Sequence, residues 1–241
     1  METSMAEYAK QDEYDLANLL NGHFLRKGLP YVAKDSGGSG HSNDVLVEHK
    51  ETKEPINDFE AKRSNNSRTD YGQFRIYFDE GWQYHETAKS TPITQHVFKI
   101  IKPQLDALVC GDFPSGPTMS LSETKTFWNI YEPNRTLSMI SGDVAKIAVP
   151  VNTIPDYYTQ KGNDYIKIGK DLYALKSGRV PTLESRIIEC YAQFRIKDHG
   201  RRRKNGIPIE GSNKQSYTVA LRLKCQSAED TEFFTALSKI Y

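Results

Sequence analysis

Asp44 and the tripeptide Glu60-Ala61-Lys62 are the residues whose types and spacing best suit a reaction, with residues 45 to 59 between them. In an extended segment, side chains two apart point to the same side. Glu60 and Lys62 therefore project together, and Ala61 faces the other way. With Asp44 on a neighbouring strand, two carboxylates and one ammonium converge on one spot. Carboxylate oxygens are hard donors of the kind Mg²⁺ takes, and that ion keeps several of its waters. Such an ion makes a bound water more acidic and offsets charge developing on a phosphate, while a nearby lysine orients the attacking water and stabilises the pentavalent state. The chemistry expected of this trio is metal-dependent hydrolysis of a phosphodiester. Two other acids lie close in sequence. Asp58 shares the face of Glu60 and Lys62. Glu48 shares the face of Asp44, either as a solvent-facing strand residue or as a ligand of a second metal.

Elements must position these groups. Leu16, Leu19, Leu20 and Phe24 recur at helical spacing, so residues 14–27 read as a helix, stopped by Gly28-Leu29-Pro30. Tyr31 to Ala33 is a short apolar piece. A glycine- and serine-rich loop, 36–40, then lets a phosphate backbone approach closely. Residues 44–49 and 56–62 read as neighbouring strands, and 73–78 alternates polar and apolar residues as a third. Gly81 to Tyr84 continues the meander. A helix is predicted over 94–109, broken early by Pro103. The stretch 111–135 reads as an irregular excursion, 139–151 as holding a short helix, and 154–161 as a turn. Residues 164–168 and 172–175 form a hairpin. Two long strand-like runs, 187–196 and 216–225, flank a basic loop, and 228–240 ends the chain as a helix.

The pattern Asn43-Asp44, then Glu60-Ala61-Lys62 on a strand after a glycine loop, resembles the PD-(D/E)xK nucleases, which include restriction endonucleases, Holliday-junction resolvases and repair nucleases. Asn43 stands where the motif has proline. The resemblance implies a mixed α/β fold, a central mixed sheet flanked by helices, with an added strand-rich C-terminal region. It also implies roles: Asp44 and Glu60 hold the metal, the Ala61 carbonyl adds a ligand, and Lys62 assists the nucleophile. Gln73, in Tyr71-Gly72-Gln73-Phe74, resembles a glutamine near the site in some members. Glu13 and Asp15 are the first helix's candidates for an inward acid. The implied cofactor is Mg²⁺, with Mn²⁺ as a substitute. Residues 1–110 would form the catalytic core, and 111–241 would complete the sheet and build a DNA-binding region.

A second signal is basic. Residues 195–204 carry Arg195, Lys197, Arg201, Arg202, Arg203 and Lys204 against one acid, Asp198. At a hairpin tip these cations would contact phosphates and release counterions, giving salt-sensitive binding. Arg63 and Arg68, beside the acidic trio, are weaker candidates for the same role. The net charge of the 241-residue chain is only +1, so any polyanion must be met by such local clustering. Tyr157-Tyr158 and Tyr165 are aromatic residues able to stack on bases or pack in a sheet.

Composition excludes other classes. Hydrophobic residues make up 37% and charged residues 26%, and no apolar run approaches the roughly 20 residues that span a bilayer. Cys110, Cys190 and Cys225 form neither a disulfide framework nor a metal knuckle, so a reducing cytoplasm is the expected compartment. The six histidines lack metal-ligand spacing, and there is no P-loop, GxGxxG or GxSxG. The expected function is a metal-dependent DNA endonuclease, foremost a type II restriction-like enzyme. A junction resolvase and a phage or repair nuclease are the alternatives. Readings from other classes are a non-catalytic nucleic-acid-binding protein on the same fold and a protein-interaction domain. The expected partner is DNA, and a homodimer follows if both strands of a palindrome are cut.

Overall fold

The structure, a computed structural model, describes residues 5–36, 44–63, 69–78, 81–87, 90–108, 119–120, 145–197, 203–204, 207–208 and 214–241. The chain forms two compact units that interleave in sequence. One comprises Met1–Thr69, Ile154–Glu189 and Leu223–Tyr241; the other comprises Asp70–Thr153 and Cys190–Arg222.

The first unit is organised by helix α1, Met5–Lys27, which starts earlier than its apolar spacing indicates. Leu16, Leu20 and Phe24, four apart, are fully buried, whereas Leu19 lies off that stripe and is partly exposed. The helix ends in a hydrogen-bonded cap. Gly28, at φ 64°, adopts the left-handed conformation that costs glycine least. Its N–H donates to Leu25 O at 3.2 Å, and Leu29 N–H donates to Phe24 O at 2.9 Å.

Strand β1, Tyr31–Asp35, opens a five-stranded sheet with β2, Val45–His49, β3, Pro55–Lys62, β8, Tyr165–Ile168, and β9, Asp171–Ala174, in that spatial order. All neighbours are antiparallel except β3 and β8, which run parallel. A parallel pair requires a crossover rather than a tight turn, and here the chain between them runs from residue 63 to 164. The free edge at β1 is partly satisfied by α1: Asn21 donates to Ala33 O at 2.9 Å and accepts from Ala33 N–H at 2.8 Å. One face of the sheet, including Val45, Val47, Phe59, Leu172 and Ala174, packs with α1 and with helix α4, Phe233–Ile240. A 3₁₀ turn at Glu229–Thr231 precedes α4, so the expected terminal helix is split. Tyr241 closes this core with its ring 4.9 Å from Phe24.

The other main sheet, which holds most of its residues in the second unit, has the order β5, Trp82–His85, β4, Gln73–Phe78, β13, Lys214–Cys225, β10, Ile187–Lys197, and β7, Ala145–Ala148. A two-residue strand β6, Met119–Ser120, pairs with β13. It is the described piece of the segment expected to be irregular. Helix α2, Pro92–Leu108, buries Val97, Phe98, Ile101 and Leu105. It runs through Pro103 rather than breaking there. Pro103 and Lys99 both lie on the exposed side, where water can take the carbonyl that proline leaves free. The Trp82 indole meanwhile donates to Leu105 O at 3.0 Å.

Two further expectations are corrected. The described part of 139–151 is strand β7, not a helix: Lys146 and Ala148 are exposed while Ile147 and Val149 are buried, a period of two. Residues 154–161 are not a turn but helix α3, Thr153–Gln160, with Ile154 and Tyr158 buried one turn apart. Pro155 sits in its first turn, where a missing N–H costs little.

The fold is thus mixed α/β, with two main sheets flanked by helices and many strands in its C-terminal half. Among the described residues, no helix is long and apolar enough to cross a membrane. Cys190 and Cys225 are buried and not joined in a disulfide, and Cys110 lies outside the described residues.

Adjacent residues of α1 should separate sharply on truncation. Phe24→Ala is expected to cost about 3–5 kcal/mol, because it empties a core site. Leu25→Ala, 78% exposed, should cost about 0.5 kcal/mol or less. Urea denaturation of the two variants measures the difference.

Candidate active site

The acidic trio assembles where β2 and β3 meet. Val45 pairs with Phe59, and one residue further out Asp44 N–H donates to Phe59 O at 3.1 Å. Asp44 then turns its carboxylate along β3, where Oδ2 accepts from Ala61 N–H at 2.9 Å. Ser36 N–H donates to Asp44 O at 2.9 Å, tying together the two ends of the glycine-rich loop, whose residues 37–43 lie outside the described residues.

Glu60 is 3% exposed, yet its carboxylate meets two ammonium groups. Lys62 Nζ lies 2.5 Å from Oε1, and Lys161 Nζ lies 3.3 Å from Oε2. Lys161 follows α3, and that helix lines the site with rings. Lys62 Nζ is 5.5 Å from the Tyr158 centroid, and Lys161 Nζ is 5.2 Å from Tyr158 and 5.9 Å from Tyr157. Those distances suit cation–π attraction.

The charges disturb one another. Burial pushes the Asp44 carboxyl above its usual range, and the Glu60 charge pushes it further; Lys62, the Ala61 N–H and Lys161 oppose them. For Lys62, burial pulls the pKa down, but Glu60 and Asp44 outweigh it, and the net direction is up. Glu13, half-buried on α1, is raised to about 7 by burial first and then by Asp44, Glu60 and Asp35. Of the two candidate acids on the first helix, Glu13 feels the charges of Asp44 and Glu60, and Asp15 is exposed and accepts from Gln11 at 2.7 Å.

The donor set fits a hard divalent cation. Asp44 and Glu60 are crowded, partly desolvated carboxylates whose mutual repulsion a cation would relieve, and the Ala61 carbonyl is an oxygen of the same hardness. Among the described residues, no three or more His, Cys, Asp or Glu side chains are grouped to hold a metal. Two carboxylates and a carbonyl would thus serve an ion that keeps much of its water.

Gln73 starts β4 in the second unit, opposite Ala220. Arg63 is not a free cation beside the trio: its guanidinium grips Asp12, with Nη2–Oδ1 at 3.0 Å and Nε–Oδ2 at 3.1 Å. Glu48 is a buried strand residue paired with Lys34, and Lys53 lies 3.9 Å away. Arg68, Arg201 and Arg202 lie outside the described residues. The backbone of Arg195 and Lys197 belongs to β10. Arg203 and Lys204 form β11, which pairs with β12, Ile207–Pro208, so a small hairpin lies inside the basic loop. Lys161 is the site residue that sequence reasoning misses. Tyr157, Tyr158 and Lys161 are four and three residues apart, which is one face of a helix, but the segment reads as a turn by its residues alone.

Glu13 supplies a test of the site's charge. A carboxyl whose pKa rises from 4.5 to about 7 on folding favours the folded state fully below pH 4.5, and that contribution is lost as pH rises through 7. Glu13→Gln should remove this loss. After allowance for solvent screening of a half-buried group, the variant should gain about 1–2 kcal/mol on wild type between pH 4.5 and pH 8. Denaturant midpoints across that range check it; an unchanged difference would contradict the electrostatics described.

No known family pattern and no curated protein matches the sequence. Among solved structures, HhaI endonuclease in complex with DNA is similar over 96% of this chain and 95% of its own, with a TM-score of 0.53 and 13% sequence identity. Likeness at that identity is one of fold: the chain has a restriction-endonuclease-like fold.

Proposed function

We propose that this protein is a metal-dependent DNA endonuclease that hydrolyses phosphodiester bonds, of type II restriction-like character. The observation that carries the reading is the convergence of Asp44, Glu60 and Lys62 at one end of the β2–β3 pair. The likeness to an endonuclease seen in complex with DNA supports the substrate class.

Asp44 and Glu60, with the Ala61 carbonyl, would hold Mg²⁺, or Mn²⁺ in its place. Bound there, the ion would acidify a water and offset negative charge on the phosphate. The chain's own groups do the rest. The Ala61 N–H fixes one oxygen of Asp44, leaving the other for the ion. Lys62, paired with Glu60, is suited to hold the attacking water and to stabilise the pentavalent phosphate. Arg68 and the run Arg195, Lys197, Arg201, Arg202, Arg203 and Lys204 are proposed to contact the DNA backbone. A homodimer would match the two-fold symmetry of a palindromic site.

A non-catalytic DNA-binding protein is the second reading, favoured by the two ammonium groups that already neutralise Glu60. Cleavage of plasmid and branched DNA with Mg²⁺, Mn²⁺ or EDTA separates the two. The endonuclease should cut only with metal, and Lys62→Ala should lower the rate about 10²–10³-fold with little change in DNA affinity by fluorescence anisotropy. Cutting confined to branched DNA would assign a resolvase or repair enzyme. Metal-independent binding without any cutting would leave the binding protein.

The basic run has its own readout. Replacing Arg201, Arg202 and Arg203 by Gln should weaken DNA binding regardless of sequence. It should also reduce the slope of log affinity against log salt by about 0.9 for each phosphate no longer neutralised. An unchanged salt slope would remove the loop from the interface.

A further inference from the structure

Glu60 is balanced by one more cation than its motif lysine. Lys161 Nζ stands 3.3 Å from Oε2, the oxygen that Lys62 does not hold. We propose that Lys161 is a competing counter-ion that sets how tightly this site takes a divalent cation. The inference rests on Asp44 and Glu60 being the metal donors, and it adds a tuning residue to them.

Three observations carry it. First, Glu60 has only two carboxylate oxygens, and each has an ammonium within ion-pair distance. A dication drawing on Oε2 must displace Lys161 or share the oxygen with it. With Asp44 and Glu60 ionised and both lysines charged, the four groups sum to zero. A dication added to them carries the cluster to +2, against +1 if Lys161 is neutral, and each like charge a few ångströms away opposes binding.

Second, Lys161 is anchored at its base. Lys161 N–H donates to Tyr157 O at 3.3 Å, Gly162 N–H to Thr159 O at 3.0 Å, and Asn163 N–H to Tyr158 O at 3.1 Å. The backbone is thereby fixed at the end of α3, and only the side chain is left to adjust. Third, that side chain has somewhere to go. It is 28% exposed, and its ammonium lies against the Tyr157 and Tyr158 rings at 5.9 and 5.2 Å. Aromatic faces hold a cation without consuming a carboxylate. Lys161 can therefore yield Oε2 and remain beside the site.

Mn²⁺ binding to the whole chain, read from the free-ion electron paramagnetic resonance signal without DNA, tests this independently of cleavage. Lys161→Met keeps an apolar stem on the tyrosines and removes the charge; Lys161→Ala and Lys161→Arg accompany it, with Glu60→Gln as the donor control. Thermal unfolding in EDTA selects the variants that are folded. Lys161→Met and Lys161→Ala should bind Mn²⁺ about tenfold tighter than wild type, on the order of one screened charge–charge interaction, and Lys161→Arg should stay near wild type. If wild type binds through Glu60 and neither neutral variant binds more tightly, the role of Lys161 is overturned and the metal reading stands. If no protein shows Glu60-dependent binding, the metal reading is overturned and this role with it.

Discussion

A carboxylate buried to 3% exposure is the constraint on which the site depends. Removing a charge from water costs several kcal/mol unless other groups replace the lost solvation. Glu60 has Lys62 from its own strand and Lys161 from the end of α3 to do so. Lys161 meets that demand from beside the Tyr157 and Tyr158 rings, and Asp44, next to Glu60, is held by the Ala61 N–H.

The strands bring this about by register. Val45 opposite Phe59 leaves Asp44 one step beyond the ladder, level with the Glu60–Ala61 peptide. A one-residue slip would send Glu60 and Lys62 to the face that packs against α1 and α4. Burial of Val45, Val47 and Phe59 on that face excludes the slip, so the apolar core and the polar site specify each other. The parallel pairing of β3 with β8 completes the support, as Gly169 N–H donates to Lys62 O at 2.8 Å.

Segments with strong periodicity are legible from residues alone. The alternation in 73–78 and the apolar runs at 187–196 and 216–225 are strands, and Leu16, Leu20 and Phe24 mark the buried stripe of α1. Short segments are less so. Four residues at β7 carry too little pattern to tell a strand from a helix, and their pairing with β10 decides the matter. Pro103 favours a helix break locally, but the burial of Ile101 and Leu105 on either side outweighs one lost hydrogen bond.

The groups that stand together on β3 can be read from the order of its residues. Glu60 and Lys62 share a side because strand geometry alternates, whatever surrounds the strand. Residue order also marks Asp44 as the adjacent acid, since a short connection between neighbouring strands returns the chain to its partner. That Glu13 feels these charges follows from the packing of α1, whose rotation is set by Leu16, Leu20 and Phe24. Tertiary structure alone also brought Lys161 to Glu60 across 101 residues of chain, and withdrew Arg63 to Asp12. Side-chain alternation acts within one strand and can be read along it. Ion pairing at long range depends on which surfaces burial forces together, and no local pattern encodes that.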